Sequence, residues 1–329
     1  MLPLIFGGLL AFIIIMYVIL DGFDLGIGIL FPFTHSEQDR DSMMNSIAPV
    51  WDGNETWLVF GGAMLYGAFP QVYGGLLPII YMPIMLMLIA LIFRGVSLEF
   101  RFKAERSKPI WNWSFALGSI CAAFFQGVIL GYYIEGFKIN DFAATVSHPD
   151  WLTPFSLFTG VALVCGYALL GSTWMIIKSE GSLQKKMIHH AKGLLVLISF
   201  FLILVSIWTP FSNANIFHRW YSFPNFLYLF PLPLITAVMI YLAWKNLSQE
   251  PERKPFFYCI AIFLCAYVGL GVSFYPYLIP NQVTLWQGAA PDSTLRFILV
   301  GVSIMVPILF AYTLYAYHVF RGKTTDGYH

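Results

Sequence analysis

Four carboxylates near the N-terminus lie within or beside long apolar stretches. Asp21 and Asp24 belong to the segment DGFDLGIG, and Asp52 and Glu55 belong to the segment APVWDGNETWL. A charge inside a membrane costs roughly 2.5–3.5 kcal/mol on insertion scales, so residues of this kind are candidates for function. Because a positioned carboxyl group can accept and release a proton, these four residues are candidates for a proton pathway.

Helical spacing predicts that the two members of each pair share one helix face, since residues three apart are neighbours on a helix. Gly22 and Gly26 would let another helix approach closely and would bury Asp21 and Asp24 between helices. Structural roles stay open for both pairs. The first pair would then belong to a packing seam, and the second would be stabilised by the dipole of a helix N-terminus.

Three further polar residues interrupt apolar sequence. Arg94 and Glu99, in the segment FRGVSLEFR, are candidates for structural ion pairs, with Arg94 as counter-charge for the carboxylates. Long basic side chains also reach the membrane surface without any partner, which is the alternative for Arg94. Gln126 stands alone in the segment AAFFQG. We expect it to form a hydrogen bond between helices, with a quinone or lipid contact as the alternative.

The elements that position these residues are transmembrane helices. Of the 329 residues, 58% are hydrophobic and only 11% are charged, and the mean hydropathy of +0.72 excludes an ordinary soluble domain. A spanning helix needs about 20 apolar residues. Such stretches lie near residues 2–33, 48–69, 74–102, 110–136, 152–178, 190–211, 223–246, 255–279 and 293–321. We therefore predict an all-α membrane protein, a polytopic bundle of about nine transmembrane helices forming a single domain over 1–329. Pro78 and Pro83 predict a kink in the third helix.

The basic residues predict the orientation of the bundle, because Lys and Arg are retained on the cytoplasmic side. The chain has 18 of them. All except Lys138, Arg219 and Arg296 fall in or beside the odd-numbered connections, or after the last span. The N-terminus is therefore predicted to be periplasmic and the C-terminus cytoplasmic.

Several other functions are disfavoured. The 18 basic and 17 acidic residues nearly balance, and no basic run could neutralise a row of phosphates, so we expect no nucleic-acid partner. The four cysteines lie in apolar stretches, which argues against a disulfide framework. The histidines fall almost entirely in connections or at a terminus, and none is expected at the middle of a span. They are His35, His148, His189, His190, His218, His318 and His329. Haem in a helical bundle is usually held by an inward His or Met, so we predict no haem ligand, no metal site and no redox centre in this chain alone.

Four segments together resemble subunit II of cytochrome bd-type quinol oxidases. They are DGFDLGIG at 21–28, APVWDGNETWL at 48–58, FRGVSLEFR at 93–101 and AAFFQG at 122–127. Their order and spacing match that family over the first 130 residues, and the form of the first two is most similar to the branch called cyanide-insensitive oxidases. Beyond them, the resemblance depends on the span count, the total length and the segment GSTW in the fifth helix.

The resemblance implies a multi-pass protein of the bacterial inner membrane that belongs to a proton-translocating quinol:oxygen oxidoreductase of aerobic respiration. The partner would be a larger subunit I, which carries two haems b and one haem d and reduces dioxygen to water. A small accessory transmembrane subunit is a further candidate partner. This chain would be the non-haem subunit that supports subunit I and contributes to the cytoplasmic proton pathway.

The matching motifs assign that pathway to Asp21 or Asp24 and to Asp52. Glu55 stands where some family members carry Gln, which weakens its assignment. Two alternatives remain: a secondary transporter with buried acidic residues, and a purely structural scaffold subunit. The sequence identifies neither the quinol nor an oxygen channel.

The predicted topology can be tested with reporter tags. A tag at the N-terminus should report the periplasm and a tag at the C-terminus the cytoplasm, because all but three of the basic residues lie on the inferred cytoplasmic side. A periplasmic C-terminus would refute the odd span count.

Overall fold

The computed structural model describes residues 1–137, 151–249 and 252–324, and these residues are almost entirely helical. The helices are α1 (Leu2–Leu30), α2 (Glu37–Asn45), α3 (Trp51–Ala68), α4 (Pro70–Phe100), α5 (Lys108–Glu135), α6 (Pro154–Lys178), α7 (Gly181–Ser212), α8 (Ala214–Tyr221), α9 (Asn225–Leu229), α10 (Pro231–Leu247), α11 (Lys254–Phe274), α12 (Leu285–Gly288) and α13 (Asp292–Val319). Two short strands, β1 (Tyr277–Ile279) and β2 (Val283–Thr284), pair antiparallel between α11 and α12.

The all-α membrane architecture is confirmed. Within the described ranges, eight helical segments are long and apolar enough to cross a membrane. The expected second span is absent from these eight because α3 contains the polar segment WDGNET and is less apolar than the others. The count of nine and the orientation of the termini therefore stay predictions.

Packing shows that α3 nevertheless runs the depth of the bundle beside α1. Asn54, near its start, bonds to Asp24, and Gly61, at its middle, packs against Ile13. Ala68, at its end, lies in the same apolar cluster as Phe6. Helix α3 is thus antiparallel to α1 and leads from the end near Asp24 to the end near Phe6. This path supports nine crossings.

One end of the bundle gathers several of the connections predicted to be cytoplasmic. Lys186 at the start of α7 lies 3.1 Å from Asp39 of α2. The amide of Thr324, after α13, donates to the carbonyl of Lys178 at the end of α6. The Thr324 hydroxyl also lies 2.7 Å from that of Ser42 in α2. The C-terminal segment is therefore tied to the end of the bundle that holds α2.

The N-terminal turns of α1 lie at the opposite end of the bundle. Phe6 belongs to an apolar cluster with Leu285 of α12, and the Ala290 amide, just before α13, donates to the carbonyl of Ala68. The first and last described residues, Met1 and Thr324, thus lie at opposite ends of the bundle, as an odd number of crossings requires. Lys138, one of the three exceptions to the charge bias, lies outside the described residues.

Direct backbone contact between α1 and α6 buries the face that carries the aspartates. A Cβ on Gly26 would overlap the backbone of Tyr167, and a Cβ on Gly171 would overlap the backbone of Gly26. Gly22 packs in the same way against the Tyr167 ring. Only glycine permits this approach. The segment DGFDLGIG therefore folds as an interior helix face, with Asp21 fully buried.

The observed boundaries differ from the sequence expectations in three places. Helix α4 begins at Pro70 and has one non-helical residue, Ile80, between its two internal prolines, so the expected kink is present. Helix α7 begins at Gly181 rather than near 190, because its first turns are polar and extend beyond the apolar stretch. Helix α11 ends at Phe274, and Tyr277–Ile279, at the end of the expected span, form β1 instead of helix.

Candidate functional site

A buried ion pair joins the first and fourth helices. The Arg94 Nη2 atom of α4 lies 2.7 Å from Asp21 Oδ1 of α1, and both side chains are excluded from solvent. The same nitrogen lies 3.2 Å from Glu55 Oε2 of α3, whose side chain is 24% exposed. Trp51 lies 5.8 Å from the guanidinium carbon and covers it. One cation thus links three helices.

Asp24 lies next to this ion pair and is held by a neutral group. Asn54 Nδ2 donates to Asp24 Oδ2 at 2.8 Å, and Tyr317 of α13 donates its hydroxyl to Asn54 Oδ1 at 2.8 Å. The Asn54 amide nitrogen also lies 3.3 Å from the carbonyl of Leu20. Asp24 is completely buried. Asn54 therefore connects Asp24 to the last helix.

Several polar atoms of this group have no hydrogen-bond partner among the described residues. They are Asp21 Oδ2, Asp24 Oδ1, and the Nε and Nη1 atoms of Arg94. Buried polar atoms in proteins are nearly always hydrogen-bonded, to protein or to ordered water. We refer to Asp21, Asp24, Glu55, Arg94 and Asn54 as the charge cluster.

The other candidate residues lie outside the charge cluster. Asp52 is exposed in the first turn of α3. The N-cap position is Val50, so Asp52 does not cap the helix, although its charge is favourable near the helix N-terminus. Glu99 is exposed near the end of α4 and forms no ion pair with another described residue. Arg94 pairs with Asp21 and Glu55 rather than with Glu99.

Gln126 of α5 connects three helices. Its Nε2 atom donates to the Tyr17 hydroxyl of α1 at 2.6 Å, and its Oε1 atom accepts from the Tyr167 hydroxyl of α6 at 2.8 Å. Both ends of the amide are therefore bonded within the protein, as expected for an interhelical hydrogen bond. Tyr17 lies one turn before Asp21 on α1, so these polar groups continue the line of the charge cluster deeper into the bundle.

A second charged network lies at the end of the bundle near α2. Arg101, fully buried, is paired with Glu37 at 2.9 Å and with Asp41. Lys108 lies 3.2 Å and Arg40 lies 2.8 Å from Glu37. Partial burial alone would raise the pKa of Glu37, but hydrogen bonds from Arg40 and Lys108 and the charge of Arg101 lower it overall. This network ties α2 to the α4–α5 connection.

Comparison with known proteins identifies the family. Residues 2–320 match the sequence profile of the family described as cytochrome bd terminal oxidase subunit II. The chain belongs to this family. It is 26% identical over 356 residues to cytochrome bd-I ubiquinol oxidase subunit 2 of Escherichia coli (strain K12), with 96% of this chain and 93% of the relative covered.

Two further comparisons agree. The chain is 24% identical over 327 residues to cytochrome bd ubiquinol oxidase subunit 2 of Bacillus subtilis (strain 168), with 96% of this chain and 95% of the relative covered. A chain of the bd oxidase from Geobacillus thermodenitrificans has the same fold, with a TM-score of 0.76 and 18% identity. That match covers 94% of this chain and 97% of the solved one.

As a bd oxidase subunit II with several apolar spanning helices, the chain is a multi-pass protein of a bacterial inner membrane. It is one part of an oxidoreductase complex, and the family implies a haem-bearing subunit I as its partner. The resemblance found in the sequence is therefore confirmed at the level of family and subunit.

The described histidines of this subunit II do not form a haem site inside the bundle. Each described histidine is exposed or only partly buried, so none is an axial ligand inside the bundle: His35, His189, His190, His218 and His318. His148 and His329 lie outside the described residues. No group of three or more His, Cys, Asp or Glu in the described part of the chain is arranged to hold a metal ion.

Sequence reasoning missed four residues that shape the site. Asn54 lies between Asp52 and Glu55 in the second motif, and its place among acidic residues was a usable signal. No sequence signal marked Tyr317, because a tyrosine near the end of an apolar stretch is common at a membrane interface. Glu37 and Asp41 gave no signal either, since their partner Arg101 is 60 or more residues away along the chain.

Removal of the central cation should destabilise the complex strongly. Arg94→Leu leaves Asp21 without its counter-charge, and breaking a buried pair from one side costs about 3–5 kcal/mol. The measurement is the thermal denaturation of the purified complex. Arg106→Leu, at an exposed arginine in the next connection, is the matched control. The double variant Asp21→Leu/Arg94→Leu should recover much of the loss, and equal stability of Arg94→Leu and the control would contradict the prediction.

Proposed function

We propose that this chain is the non-haem subunit of a quinol:dioxygen oxidoreductase and that its charge cluster conducts protons from the cytoplasm towards the oxygen-reducing site of subunit I. The observation that carries this proposal is the graded burial of carboxyl groups at one end of the bundle. Asp52 is exposed, Glu55 is partly exposed, and Asp21 and Asp24 are fully buried. The printed names of the relatives, ubiquinol oxidase subunits, support quinol as the reductant.

In this proposal the haems belong to the partner. Two haems b and one haem d in subunit I would supply electron transfer and oxygen reduction, and a small accessory subunit would complete the complex. The residues of this chain take part only in proton supply and in holding the helices together.

The proton pathway begins at the first turn of α3. Asp52 exchanges protons with water, and Glu55, three residues later, lies on the same face of the helix. Glu55 is bonded to Arg94, which is bonded to Asp21. Arg94 keeps its proton at any physiological pH, so it fixes the carboxylates and does not carry protons itself. Protons therefore pass between carboxyl groups through water bound to the unpartnered oxygens of Asp21 and Asp24.

Charge balance favours proton binding in the cluster. The charge cluster contains one guanidinium and three carboxyl groups: Asp21 and Glu55 are paired with Arg94, and Asp24 is bonded to Asn54. A net negative charge in the bundle interior is costly, so the cluster is most stable when it binds protons in addition to the one on Arg94. Asp24 is the carboxyl without a cation partner, and we assign the exchangeable proton to it.

The polar line continues beyond the charge cluster. Tyr17, one turn deeper on α1, accepts a hydrogen bond from Gln126, which in turn accepts one from Tyr167. These groups extend the pathway to the middle of α1. The bonds to Tyr17 and Tyr167 also support an interhelical hydrogen-bonding role for Gln126, because both ends of its amide are occupied.

The scaffold alternative has its own support. The backbone contact between α1 and α6 and the close ion pair at Arg94 would both be needed in a subunit that merely stabilises its partner. A transporter is disfavoured by the family assignment. The two alternatives differ at Asp52, whose carboxyl group forms no structural bond with another described residue. The proton pathway requires this carboxyl group for turnover, and the scaffold does not.

Asp52→Asn should slow oxygen reduction by the assembled complex without removing its haems. The amide keeps the shape of the carboxyl group but cannot exchange a proton, and positioned proton donors contribute roughly 10²–10⁴-fold to proton transfer. We expect a loss of roughly tenfold or more, measured as quinol-dependent oxygen consumption per haem.

Glu99→Gln is the matched control, since Glu99 is an exposed carboxylate at the same end of the bundle and outside the charge cluster. If Asp52 acts only through the helix dipole, its replacement costs about 0.3–1 kcal/mol of stability and leaves turnover unchanged. Wild-type turnover in a fully assembled Asp52→Asn complex would support the scaffold alternative.

A further inference from the structure

An apolar groove lies between α7 and α10, two helices that carry no residue of the charge cluster. It has a volume of about 300 Å³ and is lined by Leu195, Val196, Ser199, Ala237, Ile240, Tyr241 and Trp244. The hydroxyl of Ser199 is bonded to the carbonyl of Leu195, so it offers no free donor to a ligand. The groove follows α10 for about 10 Å, from Ala237 to Trp244, at 1.5 Å per residue. Its length and apolar wall fit the part of an acyl chain nearest the headgroup.

Two lysines stand at one end of this groove. Lys192 lies three and four residues before Leu195 and Val196, on the same face of α7. Lys245 follows Trp244 and lies four residues after Tyr241 on α10. Both lysines are at least partly exposed, and neither forms an ion pair with another described residue. The open end of the groove therefore carries positive charge.

The aromatic side chains mark where the membrane surface crosses the groove. Trp244 and Tyr241 lie near the end of α10, and both are exposed. Trp and Tyr favour the headgroup level, where their polar atoms reach ester and phosphate groups while their rings contact acyl chains. The two lysines thus lie at headgroup depth and the remaining lining lies at acyl-chain depth.

From this arrangement we infer that the groove between α7 and α10 binds an anionic phospholipid, with its phosphate at Lys192 and Lys245 and one acyl chain along the groove. Apolar lining alone would not select a ligand, because the surrounding lipid tails are as apolar as the groove. The two lysines provide the selection, since each basic residue near the surface favours anionic lipid. The site shares no residue with the proposed proton pathway and does not depend on it.

The test uses the purified two-subunit complex, depleted of lipid and titrated with phosphatidylglycerol or phosphatidylcholine that carry identical acyl chains. Native mass spectrometry counts the bound lipid. The wild-type complex should prefer phosphatidylglycerol, and Lys192→Gln/Lys245→Gln should lower that preference on the order of fivefold for each lysine removed. Lys103→Gln/Lys254→Gln is the matched control, because it removes two exposed lysines at the same end of the bundle.

A second variant separates the groove from general surface charge. Ala237→Phe fills the groove without changing the charge, and it should abolish the selective binding of phosphatidylglycerol while oxygen reduction stays at the wild-type level. Equal binding of the two lipids by the wild-type complex would overturn the inference. So would a preference that survives either groove variant, or identification of a quinone as the molecule displaced from the groove by Ala237→Phe.

Discussion

The side chain of Arg94 is fully buried, and this single constraint organises the N-terminal half of the bundle. A buried cation is tolerated only when carboxylates reach it with good geometry. Asp21 and Glu55 must therefore come from two other helices, which fixes α1, α3 and α4 relative to one another. Because that pairing leaves Asp24 with only a neutral hydrogen-bond partner, the same constraint sets apart the carboxyl group to which we assign the exchangeable proton.

The glycines of α1 and α6 make this arrangement possible. At Gly26 and Gly171 the two backbones touch, which closes the bundle over the aspartates and keeps lipid away from them. A larger side chain at either position would separate the helices and open the site. The eight-residue segment DGFDLGIG thus has two roles: it supplies the carboxyl groups, and its glycines allow the close packing that buries them.

Much of this could be predicted from the sequence. The pairing of buried acids with Arg94, the glycine seam and the kink in α4 follow from residue type and spacing. Helix α3 was also anticipated, although its polar first turns make it too weakly apolar for composition alone to identify it as a span. The interhelical role of Gln126 followed from the general cost of a lone amide in an apolar segment.

Two other contacts between distant parts of the chain could not be predicted. Asn54 meets Tyr317 across 263 residues, and Arg101 meets Glu37 across 64 residues. Such pairs are set by how helices pack, which periodicity does not encode. Glu99 illustrates the reverse case, because its place in the segment FRGVSLEFR suggested a structural ion pair, yet it lies on the exposed side of α4.

Infrared difference spectroscopy of the assembled complex tests the central claim most directly. If Asp24 holds an exchangeable proton, the spectrum of reduced minus oxidised complex should contain a carboxylic acid band that shifts in deuterated water. The band should vanish in Asp24→Asn and persist in Asp39→Asn, an acidic residue of α2 outside the charge cluster. A spectrum that is unchanged by Asp24→Asn, in a complex with its full haem content and wild-type turnover, would contradict the account.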